Sequence, residues 1–226
     1  MILNAVGQVL GEAAGVLASP LPIVAVILML FTARSKANSL SFLAGWIVGL
    51  AVLGAIVLVV SDSSDVSTDS SASDSSGGLL IFLGVLCLVI ALRQWRKRPK
   101  PGETPDPPKW MARIDGIGPF AAFALAILLA AVNPKNLLLT VAAATTVGQQ
   151  PGLSTSETAI TWAIFVAIAS LGIAIPVLYR LIRGDAAQAT LDAAKVWLQT
   201  HNSAVMAVIL LVIGAKILGN GLSTVS

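Results

Sequence analysis

The sequence predicts an all-α polytopic membrane protein: six transmembrane helices in a 3+3 inverted repeat, with the first and fourth helices broken. Three observations predict it. Hydrophobic residues make up 56% of the 226-residue chain and charged residues only 11%, whereas a soluble domain carries about 25% charged residues. Six apolar segments follow one another along the chain. Within the first and fourth, a polar interruption containing proline falls at a corresponding place, as Ser19-Pro20-Leu21-Pro22 and Asn133-Pro134-Lys135-Asn136. Proline has no amide donor to continue a helical ladder, so each interruption frees carbonyls inside an oily segment. Lipid cannot satisfy them, and both breaks should be buried in protein or line a wet cavity.

Taken in order, the segments run from about Ile2 to Ala33, Asn38 to Val60, Gly77 to Trp95, Gly116 to Val147, Glu157 to Leu181 and Asn202 to Leu218. Most match the ~20 residues that cross a bilayer. Segments one and four are longer, at about 32 residues, or roughly 48 Å of helix against a ~30 Å hydrocarbon core. Pro20 and Pro134 occupy matching positions, two further segments follow each, and Trp46 in segment two has an approximate counterpart in Trp162 of segment five. The whole chain, 1–226, is read as a single membrane domain, with repeat one at 1–95, a polybasic linker at 96–115 and repeat two at 116–226. Three spans per repeat is an odd number, so the halves must be inverted. Interrupted helices at matching places in two such halves point to a transport site. The plainer alternative is that two prolines merely kink spanning helices.

Charge sets the orientation. Every Lys and Arg except Lys135 and Lys216 lies in the loops after segments one, three and five or, as Arg93 and Arg180, in the last residues leading into them. The loop after segment two carries Asp62, Asp65, Asp69 and Asp74 with no basic residue, and the loop after segment four carries neither Lys nor Arg. The positive-inside rule places loop 96–115 in the cytoplasm and both termini outside, in a multi-pass membrane protein. Both broken segments must then cross; otherwise Arg180, Arg183 and Lys195 would move to the outer face. Met1 to Leu10 has no basic residue and Glu12 interrupts the apolar run, which predicts no signal-peptide cleavage.

Between the spans, Ser61–Ser76 reads as a solvated Ser/Asp-rich tether without EF-hand spacing. Arg96–Arg113 is Pro-rich and basic, flanked by Trp95 and Trp110, and is expected beside anionic headgroups or as a topology signal alone. Asp185–Thr200 places Leu191, Ala194 and Leu198 on one face and reads as a short interfacial helix ending near His201. Gly45 and Gly49, and likewise Ala159, Ala163 and Ala167, have the small-xxx-small spacing of close helix contacts, within the monomer or between subunits.

The candidate pathway residues are Glu12, Ser19, Pro20, Pro22, Asn133, Pro134, Lys135 and Asn136. Lys135 is the most expensive of them if it lies in hydrocarbon, at roughly 2.5–3.5 kcal/mol on insertion scales. Glu12 is the acidic residue deep in an apolar run, and the two are expected to approach across the repeat interface. Lys135 would then be a counter-charge that an anionic group or a proton cycle displaces; the alternative is that Lys135 snorkels to an interface. Ser19, Asn133 and Asn136 can cap freed backbone groups or bind a polar part of a substrate. One cysteine and one histidine leave no disulfide, dithiol relay or metal set. No nucleophile–base pair or phosphate loop is present, so no enzyme, cofactor or metal is expected. No nucleic-acid signature is present either.

Ser19 to Leu30, Phe42-Leu43-Ala44-Gly45-Trp46 and Asn133 to Leu139 resemble the GAP family, glycolipid- and peptidolipid-addressing membrane proteins of actinobacteria. That family includes the sulfolipid-addressing type and lies within the lysine-exporter superfamily. The likeness covers nearly all of the chain apart from the Ser/Asp loop. It implies a six-helix inner-membrane protein that helps move cell-envelope lipids outward, with Ser19, Pro20, Pro22 and Asn133 through Asn136 at the family's motif positions. The superfamily's metal-efflux and thiol–disulfide branches are disfavoured, because there is no His-rich loop and no cysteine at either break. Three readings remain: a transporter or export component for an envelope glycolipid working by alternating access, an exporter of a small solute such as an amino acid, and a scaffold for lipid-export machinery. Partners expected are membrane lipids, a lipid substrate, and a homodimer or larger export machinery.

Overall fold

The computed structural model describes residues 1–63, 72–98, 114 and 116–225. The Ser/Asp tether between 64 and 71 and most of the basic inner loop, including Trp110, lie outside them. Every regular element among the described residues is helical: α1 (Ile2–Leu17), α2 (Pro20–Met29), α3 (Ser35–Ser63), α4 (Ala72–Arg96), α5 (Pro119–Ala131), α6 (Pro134–Gly148), α7 (Thr155–Arg183) and α8 (Gln188–Val225). A short 3-10 turn at Gly184–Ala187 joins the last two.

The breaks fall where the sequence places them. Helices α1 and α2 are bent by 53° across Ala18 and Ser19, and α5 and α6 by 65° across Val132 and Asn133. Ser35–Val59 and the stretch Thr155–Lys216 are long and apolar enough to cross a membrane, and each bent pair passes the same test when taken together. The chain is thus a helical membrane protein with two to four candidate spans among the described residues.

Two compact units make up the chain. One comprises Met1–Ser64 and Pro107–Val196, the other Asp65–Asp106 and Trp197–Ser226. In the first, α3 packs on α5 and α6, while α7 packs on α1 and α2, and α1 packs on α6. Glycines set the closest approaches. A Cβ on Gly45 would run into the carbonyl oxygen of Phe123, and one on Gly49 would sit 3.0 Å from Ala130. Gly172 of α7 lies against the carbonyl of Leu17 and against Ile23, at the first break. The α2–α3 turn is tied to the entry of α5 by Asn38, whose amide donates to Thr32 Oγ1 at 3.2 Å and to the Ile117 carbonyl at 3.0 Å. In the second unit Gly84 lies against Leu218, and Gly214 against Cys87 and Leu88.

One expectation is corrected. Asp185–Thr200 does not form a short helix of its own: α8 starts at Gln188 and continues through His201 to Val225. The chain does turn at Gly184, whose φ of 55° suits glycine, but no glycine or proline follows until Gly214, so nothing stops the helix. The two small-residue stripes also differ. Gly45 and Gly49 make a close contact within the monomer, whereas Ala159, Ala163 and Ala167 are exposed. Trp162 projects from the same face of α7 onto Gly54 of α3, so the large ring, not the alanines, sets the distance between these helices.

Gly45→Ala should lower stability by about 1–3 kcal/mol through overpacking against backbone. Gly7→Ala, whose added Cβ meets nothing within 4 Å, should be neutral or stabilising. Thermal unfolding of both variants in detergent checks the contrast.

Candidate functional site where the two breaks meet

Each break is a helix start placed inside an apolar segment. Ser19 and Asn133 are N-cap residues with extended backbone (φ −85°, ψ 102° and φ −61°, ψ 118°), each followed by proline at the first helical position. Ser and Asn are favoured at N-caps because of their short polar side chains, and proline is favoured next because its missing amide would be unpaired there anyway. The side chain of Asn133 takes the usual capping role, accepting from the Lys135 amide at 3.1 Å. Ser19 makes no such bond to its own helix.

It bonds across the molecule instead. Ser19 Oγ donates to Asn136 Oδ1 at 2.7 Å, 117 residues away in sequence. The other end of the same side chain, Asn136 Nδ2, donates to the carbonyl of Leu129 at 3.0 Å, in the last turn of α5. Lys135 completes the exchange. The Ser19 amide turns to Val16 O at 3.2 Å, leaving the Gly15 carbonyl without its helical donor, and Lys135 Nζ donates to that carbonyl at 2.7 Å. The second break therefore supplies side chains that satisfy carbonyls freed at both. Burial makes this necessary: Ser19 is 2% exposed, Asn136 0% and Lys135 6%.

The remaining sequence-predicted residues fall around this junction. Pro20 and Pro22 are buried, Asn133 is half-buried and Pro134 is exposed. Glu12 is buried and lies one turn before Gly15 on α1, so the Lys135 ammonium reaches α1 within a turn of it. Sequence reasoning missed Gly15, the acceptor for Lys135, although Gly7, Gly11 and Gly15 repeat every four residues. Of these, Gly15 alone faces a neighbour, with Leu139 2.8 Å from where a Cβ would stand. It also missed Thr140, which is fully buried one turn beyond Asn136 with no hydrogen-bond partner for its hydroxyl.

Electrostatically, the N-termini of α2 and α6 come together at the Ser19–Asn136 bond, and each carries the positive end of a helix dipole. The Lys135 amine, held by a neutral carbonyl, adds a further donor there and a positive charge when protonated. Such a junction suits an anionic or strongly polar group.

Asn136→Ala should destabilise the protein by about 1–3 kcal/mol for each buried group left unpaired. Ser19→Ala should cost less. The pair should be non-additive by at least ~0.5 kcal/mol in a double-mutant cycle on unfolding in micelles; strict additivity would show that the cross-break bond contributes nothing.

No curated protein and no solved structure matches the chain. A family model described as Sap, sulfolipid-1-addressing protein, matches residues 9–223. That match runs through both breaks and most of the N- and C-terminal helices, and the chain belongs to the sulfolipid-1-addressing protein family.

Proposed function

We propose that this protein is an export component of the plasma membrane that moves an anionic envelope lipid, a sulfated or otherwise acidic glycolipid, toward the cell surface. The observation that carries the reading is the buried junction of the two breaks, where Lys135 is held by a carbonyl and two helix N-termini converge. An acidic headgroup entering there would take the Lys135 ammonium from Gly15, and release of the headgroup would restore the bond. Glu12, a turn away on α1, is the group that would stabilise Lys135 between cargoes.

In this reading 1–95 and 116–226 are inverted repeats, with loop 96–115 cytoplasmic and both termini outside. The exchange of partners supports it, because α3 of the first half packs on the broken helix of the second and α7 of the second packs on that of the first. Rocking of one pair against the other would expose the junction to alternate sides. Pro20, Pro22, Asn133 and Pro134 shape the breaks, while Ser19, Lys135 and Asn136 line the path.

A strain without the protein, complemented with the wild type, Lys135→Gln or Glu12→Gln, tests this by comparing surface-exposed with inner-membrane lipids and secreted amino acids. Loss of the protein and Lys135→Gln should each reduce at least one acidic surface lipid by tenfold or more, at unchanged protein level, with accumulation on the inner side. An unchanged lipid profile would remove the reading, and loss of a secreted amino acid instead would favour small-solute export. Full activity in both charge variants would end the role given to Lys135 and Glu12.

A further inference from the structure

Away from the junction, an open cavity of about 840 Å³ runs as a groove between α3 and α7. One wall is the α3 stripe from Leu43 to Val59 and the other the α7 stripe from Thr155 to Ala174. At 1.5 Å per residue each wall is about 24–28 Å long, close to the ~30 Å thickness of a bilayer's hydrocarbon. The space exists because alanines line it, among them Ala51, Ala55, Ala159, Ala163 and Ala167.

Three features identify an occupant. The groove is graded: Gln150, Thr155 and Thr158 lie at the end beside the α6–α7 turn, whereas Leu43, Ile47 and Ala174 form the other, with Ser170 a turn before Ala174 as its polar side chain. That gradient fits an amphiphile. Second, the groove is continuous with the outward apolar face of α3, since Ile47 and Val59 of its wall are exposed together with Val48, Val52 and Ile56. In a membrane protein such a face meets acyl chains. Third, the middle of the groove is closed by Trp162, which is 7% exposed and lies with its ring against Gly54 of α3. The wall there is ring and alanine, which suits an acyl chain.

We propose that the α3–α7 groove is a lipid-binding site. It holds one acyl chain of a lipid along the alanine-lined wall, with the headgroup at the Gln150–Thr158 end. The inference takes its cargo from the export reading above and rests on it for physiological meaning. Gly172, next along α7, packs on the first break, so an occupant of the groove lies beside the helix that would rock.

The test uses the full-length protein in nanodiscs containing a phospholipid with a diazirine in one acyl chain. Photolabelled peptides are mapped by mass spectrometry. Labelling at Ala55 and Ala163 should saturate and fall at least fivefold on competition with unlabelled phospholipid. Labelling at Val48, Val52 and Ile56 should rise linearly with probe. Ala163→Phe should abolish the saturable component at an unchanged melting temperature. Groove labelling that tracks the outer face at every probe concentration means annular lipid only and overturns the proposal. So does cross-linking of a thiol at position 163 (Ala163→Cys) to another helix, which would mean that protein fills the groove. Saturable groove labelling together with an unchanged envelope-lipid profile would leave the site standing and remove the export reading; the converse pair of results would remove the site alone.

Discussion

A backbone carbonyl inside a membrane protein must find a donor, and much of this architecture follows from meeting that demand at two places. Proline opens the ladder in α1–α2 and again in α5–α6. Water is the usual remedy at a helix end, but Ser19, Lys135 and Asn136 are all buried. The donors come from the protein: Asn136 serves the carbonyl of its own half, Lys135 serves the carbonyl of the other, and Ser19 joins the two. One four-residue motif thus links two breaks that are more than a hundred residues apart. The glycines of α3 and α7 do complementary work, letting intact helices approach close to the broken ones.

An amine is a strong donor that a carbonyl only partly satisfies, so the Lys135–Gly15 bond is well placed to be exchanged for a bond to an anion. The Asn136 amide, satisfied at both ends, is better suited to hold the junction than to switch. In the export reading, this division would separate what keeps the breaks together from what responds to cargo. It also accounts for tolerating a lysine in a segment where its insertion is unfavourable by roughly 2.5–3.5 kcal/mol.

Much of this was legible in the sequence because the breaks are written in side chains. Proline alone is not the signal: Pro176 sits inside α7 and the helix continues past it. What distinguishes Pro20 and Pro134 is a preceding Ser or Asn, a cap followed by a helix start. The Gly15 carbonyl that accepts from Lys135 was not legible, because a carbonyl acceptor has no residue type. Small-residue spacing was ambiguous for a similar reason. It marks where close approach is possible, and only the position of Trp162 separates the packed glycine stripe of α3 from the open alanine stripe of α7. The length of α8 was not legible because amphipathic patterning changes near His201 without any residue that ends a helix.

The most direct test is proximity of the two breaks in the membrane. In a Cys87→Ser background, the pair Ser19→Cys and Asn136→Cys would be treated in native membranes with a short bifunctional thiosulfonate, and intramolecular cross-linking followed by a gel shift. The account predicts efficient cross-linking within one chain, and none when Asn136→Cys is paired instead with Val52→Cys on the outward face of α3. Absence of the cross-link between positions 19 and 136 in a protein that is correctly inserted would contradict it.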